Sequence, residues 1–191
     1  MSEHGGAGES AGPTAPAEAG ALLADGTVTG EWLLDPAGSR VEFRVKHFWG
    51  AVTVHGTFGA VTGEGSVSAD GTITGRLTID VSSLSTGNKQ RDKHLRSADF
   101  FAADSHGEAV VTVTGAKPAG PAALACHGSL EAAGHSEPVE FTAHIREATG
   151  QVVVLDAEIV VDRTLFAMTW SPLGMAAAVA RGTVVARFVR P

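Results

Sequence analysis

The densest run of reactive side chains is Lys89, Arg91, Lys93 and Arg96, four of fourteen basic residues within eight positions, with Asp92 the only acid among them. His94 lies inside the run, and Phe100 and Phe101 follow it. Arginine can grip a phosphate through two parallel hydrogen bonds, whereas lysine offers a point charge. The stretch therefore reads either as a solvated surface helix or as an anion site at the mouth of a cavity. On a helix, Arg91 and His94 are three apart and share a side, while Lys93 points elsewhere. Arg91 is the better candidate for a charged head group; the alternative is that it pairs with an acid such as Asp99 and only fixes the helix.

A second concentration is Phe166, Met168, Trp170, Leu173 and Met175, interrupted by Pro172 and Gly174. Methionine adapts to irregular apolar surfaces, so this cluster reads as core or as a binding surface. The eight histidines are dispersed; His47 and His55 lie eight apart, and no pair has a recognised metal spacing. The single cysteine, Cys126, excludes an internal disulfide and a thiolate metal site, and no nucleophile signature surrounds it. There is no Gly-x-Ser-x-Gly elbow, phosphate-binding loop, dinucleotide glycine fingerprint or His-Glu-x-x-His. The expectation is no catalytic residue, no metal and no cofactor. A lipid-acting enzyme using His47 or His94 as base is the weaker alternative, and a stress-related scaffold without ligand is another.

Such residues need a scaffold, and its period is two. Val41, Phe43 and Val45 alternate with Glu42, Arg44 and Lys46, giving one apolar and one charged face. Ile73, Leu77, Ile79 and Val81 repeat the pattern, with Gly75 in the remaining inward slot. So do Val139, Phe141, Ala143 and Ile145, and then Leu155, Ala157, Ile159 and Val161. Weaker strands are expected at 52–60, 108–114, 122–132 and 182–189, separated by breaks such as Gly63-Glu64-Gly65. Residues 88–97 are polar, lack Gly and Pro, and suit a short helix. About eight antiparallel strands, each with one apolar face, must hide that face. A sheet closed on itself or a two-layer sandwich does so, and strands of ten or more residues favour the barrel.

Composition sets outer limits. Hydrophobic residues make up 43 % and charged residues 18 %, which excludes a wholly disordered chain. The net charge of −7 argues against a nucleic-acid partner, and no apolar run approaches the ~20 residues of a membrane-spanning helix. Residues 1–26 contain Glu3, Glu9, Glu18 and Asp25, no Lys or Arg, and only Leu22 and Leu23 as large aliphatics. They read as a disordered acidic Ala/Gly-rich tail, leaving 27–191 as one domain. The tail lacks the basic start and apolar middle of a secretory signal, so the expected location is cytoplasmic.

Three blocks carry a family resemblance. They are Trp32 to Pro36 with Ser39 to His47, then Ile79-Asp80 with Thr86 to Phe101, and finally Asp162 to Met175. Over about 31–190 the chain resembles the YceI-like family of polyisoprenoid- and lipid-binding proteins. Gly38 and Ala102 depart from the family's usual residues, and tyrosine is absent. The resemblance implies an all-β, extended lipocalin-like antiparallel barrel with a helix beside it and a long apolar channel. It implies binding, storage or transport of a long-chain isoprenoid, an isoprenoid quinone or a related amphiphile. Because some relatives form one, it also allows a homodimer. The channel-lining candidates on the strands are Phe43, Val45, Leu77, Ile79, Phe141, Ala157 and Ile159. Phe100, Phe101, Phe166, Met168, Trp170, Leu173 and Met175 join them from the other two blocks. Arg91, His94 and His47 are the head-group candidates.

Overall fold

The computed structural model describes residues 19–191. Its strands are β1 (Gly30–Leu34), β2 (Arg40–His47), β3 (Val52–Phe58), β4 (Val61–Val67), β5 (Ile73–Asp80) and β6 (Leu84–Ser85). The long strands β7 (Glu108–Gly120), β8 (Ala123–Ala132), β9 (His135–Ala148), β10 (Val152–Asp162) and β11 (Val179–Val189) follow. Two helices accompany them, α1 (Ala19–Ala24) and α2 (Lys89–Arg96).

All pairings are antiparallel, and the ring β1-β4-β5-β7-β8-β9-β10-β11 closes through β1 and β11. Closure removes every edge of that ring and excludes the sandwich alternative. Beyond β1, the same side of β11 pairs with β2, which pairs with β3, and β3 with β6. The first three staves of the barrel are therefore each bent in two, as β1/β2, β3/β4 and β5/β6. The all-β barrel of eight staves with a helix near 88–97 is the fold that the period-two reading and the family resemblance anticipate.

Two of the bends use one local device. The Asp35 carboxylate accepts from Ala37 N–H at 3.1 Å, and the Asp80 carboxylate from Ser82 N–H at 2.8 Å. Each turn is then tied across the barrel. Ser39 accepts from Arg187 N–H at 3.0 Å, and Ser83 Oγ accepts from Ala60 N–H at 3.0 Å. The same Asp-initiated turn ends β10, where Asp162 accepts from Thr164 N–H at 2.9 Å. These hydrogen bonds favour the ionised carboxylate, so Asp80 and Asp162 titrate below the ordinary range.

One expectation is corrected here. Gly63-Glu64-Gly65 is no break but the middle of β4, where Gly65 stands directly opposite Gly75 of β5. Its glycines belong to a strand wall and leave that wall without side chains. Within the segment expected as tail, residues 19–24 form α1. Leu22 of α1 is buried against Val28 and Trp32, and Trp32 Nε1 donates to Val28 O at 2.8 Å. Two leucines suffice because the barrel end supplies the rest of their apolar surroundings. The remainder of the expected tail, residues 1–18, lies outside the described residues.

Leu22→Ala should lower unfolding stability in a denaturant titration by about 2 kcal/mol, the usual low end for a buried leucine. A variant without residues 1–26 should lose at least as much, whereas a freely dangling segment would lose nothing.

Candidate functional site

The barrel lumen holds two apolar cavities. The lower, of about 190 Å³, lies between β1, β4, β5 and β7–β11, with the buried Leu22, Val28 and Trp32 among its lining. The upper, of about 370 Å³, reaches the ends of β2, β3 and α2. Val111, Ile159 and Val184 line both, so the cavities adjoin as two chambers of one lumen. The space follows from residue choice. Ala116, Ala143 and Ala157 face the lower chamber together with Gly65 and Gly75. An engineered apolar cavity of ~150 Å³ stays dry and binds benzene, and both chambers exceed that size.

Twelve of the apolar candidates line this lumen. Leu77, Phe141 and Ala157 face the lower chamber, and Ile159 touches both. Phe43, Val45, Ile79, Phe100, Phe101, Phe166, Met168 and Trp170 face the upper. Leu173 and Met175 line neither, and Leu173 is 85 % exposed. The chain there turns outwards through Leu173 in a left-handed conformation, φ 53°, which carries its side chain away from the lumen. Phe48, Val52 and Trp170 both line the upper chamber and stay exposed, which marks its mouth.

The three head-group candidates converge on that upper chamber, from β2 and α2. Asn88 caps α2 by accepting from Gln90 and Arg91 N–H at 3.1 Å. Thr86 aims Arg91: its hydroxyl accepts from Arg91 Nε at 2.8 Å and its carbonyl from Arg91 Nη2 at 3.0 Å. Thr86 in turn donates its N–H and hydroxyl to the buried Asp92 carboxylate at 2.8 and 2.5 Å. The Arg91–Asp99 pair considered above does not form. Asp99 instead meets His94 Nε2 at 3.1 Å. The His94 ring stands edge-on to Trp170 at 4.4 Å and to Phe100 at 5.2 Å, and His47 edge-on to Phe48 at 4.6 Å.

Arg163 is the residue that sequence reasoning passed over. It lines the upper chamber, is 5 % exposed, and its guanidinium lies 6.0 Å from the centre of the Phe100 ring. It donates to the carbonyls of Ala177 at 2.8 Å and Ala176 at 3.3 Å, and to that of Met168. Burial lowers its pKa, and the neighbouring Asp162 charge opposes the shift. A single guanidinium thus ties residues 168–177 over the barrel end. Its only signal in the sequence is a place in the third family block. Cys126 lines the lower chamber, where burial pushes its thiol pKa up and away from reactivity. Among the described residues, no three His, Cys, Asp or Glu side chains gather as a metal site. None of the described helices is long and apolar enough to cross a membrane.

A closed eight-stave barrel around an apolar lumen, with Arg91, His94, His47 and Arg163 gathered around the upper chamber, defines a lipocalin-like class of barrel. The chain belongs to the YceI-like family: the model of the YceI-like domain matches residues 32–188. A UPF0312 protein of Ectopseudomonas mendocina is 30 % identical over 127 residues, covering 64 % of this chain and 66 % of that protein. Another, of Pectobacterium atrosepticum, is 34 % identical over 136 residues, covering 68 % and 66 %. The chain thus spans just under two thirds of the length of these relatives. The crystal structure of Burkholderia cenocepacia BcnA superposes with a TM-score of 0.73 at 21 % identity, over 81 % of this chain and 98 % of that one. A polyisoprenoid binding domain from Saccharophagus degradans, implicated in plant cell wall breakdown, gives 0.68 at 15 % identity, over 84 % and 98 %. At these identities the likeness to the solved structures is one of fold.

Arg163→Lys tests the tie directly. An ammonium cannot span three carbonyls in the planar fork that a guanidinium provides. Each buried carbonyl left without a donor costs about 1–3 kcal/mol. The variant should unfold at clearly lower denaturant concentration; an unchanged midpoint would show that the tie contributes nothing to folding.

Proposed function

We propose that the protein binds and carries or stores a long-chain isoprenoid or a closely related amphiphilic lipid, and performs no catalysis on it. The observation behind this reading is the polarity of the lumen. Two adjoining apolar chambers reach from the upper mouth to Trp32, while Arg91, His94, His47 and Arg163 stand around the upper one. An isoprenoid chain is apolar along its length and needs no polar partner inside. Burying it gains about 0.8 kcal/mol per methylene, less the freedom lost on binding. The tail occupies the lower chamber and the head group rests among the α2 side chains. Membership of the YceI-like family, and a structural neighbour described as polyisoprenoid-binding, support the same class of ligand.

Organic extraction of the purified protein followed by mass spectrometry should release a long-chain lipid in stoichiometric amount. A chemically altered lipid, or an empty barrel on a protein that also fails to bind added prenyl alcohols, would reject the reading.

Ala157→Phe fills the lower chamber from β10 and should weaken binding of a long prenyl alcohol more than of a short one. Overpacking costs about 1–3 kcal/mol, so melting must be followed in parallel. Equal loss for both lengths would place the tail elsewhere.

Arg91→Ala should weaken binding of a polyprenyl phosphate while sparing the neutral alcohol of equal length. A paired titration at low and moderate salt decides this. Retained preference for the phosphate would remove Arg91 from the head-group site.

A further inference from the structure

The largest exposed apolar side chains among the described residues lie on two neighbouring loop tips. Trp49, in the tip between β2 and β3, is 74 % exposed, and Leu173, before β11, is 85 % exposed. Phe48 stands beside Trp49 and is half exposed. Backbone bonds join the tips, Trp49 N–H to Met175 O at 3.4 Å and Ala177 N–H to Lys46 O at 2.9 Å. Together they border the mouth of the upper chamber, which Phe48 and Ala176 line.

Folding does not account for these side chains. Phe48, Trp49 and Leu173 adopt φ of 49°, 52° and 53°, left-handed conformations that bulky residues disfavour. The other non-glycine residues at positive φ among the described ones are alanines: Ala102, Ala133 and Ala167. At the mouth, then, large apolar groups occupy strained positions and stay in water. At Trp49 and Leu173, asparagine or glycine would relieve the strain with little loss of buried area.

We infer that this rim docks on the surface of an anionic lipid membrane, with Trp49 and Leu173 entering the interfacial layer. The inference rests on the lipid-binding reading of the lumen beneath it. Three observations select a membrane rather than a second copy of the chain. First, the apolar groups are separate protruding tips rather than a flat self-complementary face. Second, indole suits a layer that is apolar on one side and wet on the other. Third, exposed cations stand on the elements that form this end of the barrel although the chain carries −7 overall. Lys46 runs beside Gly50, and Lys89 and Lys93 are exposed on α2. None of the three makes an ion pair among the described residues, whereas Glu42 and Asp99 are engaged by Arg40 and His94. Seating the mouth on the bilayer would also let an isoprenoid pass between membrane and lumen without crossing water.

The test uses the full chain and vesicles of phosphatidylcholine with or without phosphatidylglycerol. Wild type should co-sediment with the anionic vesicles, and less so with the neutral ones or at high salt. The double variant Trp49→Asn, Leu173→Asn should lower the partition constant about tenfold or more. It should melt no lower than wild type, because asparagine tolerates left-handed backbone. Equilibrium binding of a short prenyl alcohol, without vesicles, should be unchanged in the variant. Absent vesicle binding in wild type, or equal partition by the variant, overturns the docking surface. A wild-type dimer that the substitutions dissociate, seen by sedimentation velocity with no vesicle binding, assigns the tips to a second copy and also overturns it. Loss of alcohol binding by the wild type would count against the lumen reading alone, since vesicle binding is read separately.

Discussion

A closed ring of strands sets the width of its lumen by strand number and stagger, not by what fills it. In this barrel that width is imposed by the antiparallel ladder running from β1 round to β11 and back. An eight-strand ring is just wide enough for large inward side chains to fill. Here Gly65, Gly75, Ala116, Ala143 and Ala157 face inwards in the lower half and cannot reach across. The hydrogen-bond ring resists collapse, so the unfilled volume persists as chambers. Everything attributed to the lumen depends on this mismatch between a fixed circumference and short inward side chains.

Once the wall is fixed, the two ends need closing, and both use an arginine aimed at backbone carbonyls. At the upper end Arg163 holds Met168, Ala176 and Ala177. At the lower end Arg190 holds Thr27 and Thr29 at 3.0 Å and also Gly150, with its guanidinium 4.7 Å from the centre of the Trp32 ring. A guanidinium suits this task because its donors form a rigid fork and stack on aromatic faces. The consequences differ. Arg190 joins the chain entering β1 to the turn before β10, beside Trp32 of the lower chamber. Arg163 stands in the chamber that also receives Arg91 and His94, so its charge adds to the polarity of the mouth.

The sequence made the strand faces legible wherever apolar and charged residues alternate, as at Val41 to Lys46 and Leu155 to Asp162. It hid β1, whose Trp32-Leu33-Leu34 run has no alternation, and β4, whose Gly63 and Gly65 look like punctuation. Glycine signals a turn through its backbone freedom and an empty wall through its missing side chain, and local pattern does not separate the two. The burial of Leu22 was hidden for another reason: six helical residues have no stability of their own, and their partners lie at the far end of the barrel. At the site, Arg91, His94 and His47 stood out as charge and imidazole next to aromatics. Arg163 did not, because a lone Asp-Arg pair ending a strand carries no mark of burial. Leu173 and Met175 were misplaced because an apolar cluster in sequence says nothing of a left-handed residue that turns its tip outwards.

The boundary between the chambers bears on what kind of molecule fits. Val111, Ile159 and Val184 are all β-branched and project from paired strands. Such side chains have few χ1 choices, so the wall where the two chambers meet is stiff. A rigid molecule too broad to pass these side chains would have only the upper 370 Å³. A flexible chain aligned with the barrel axis would pass the three side chains and reach Trp32 in the lower chamber. A lumen whose two chambers meet at three stiff side chains would thus accommodate a flexible apolar tail more readily than a rigid one.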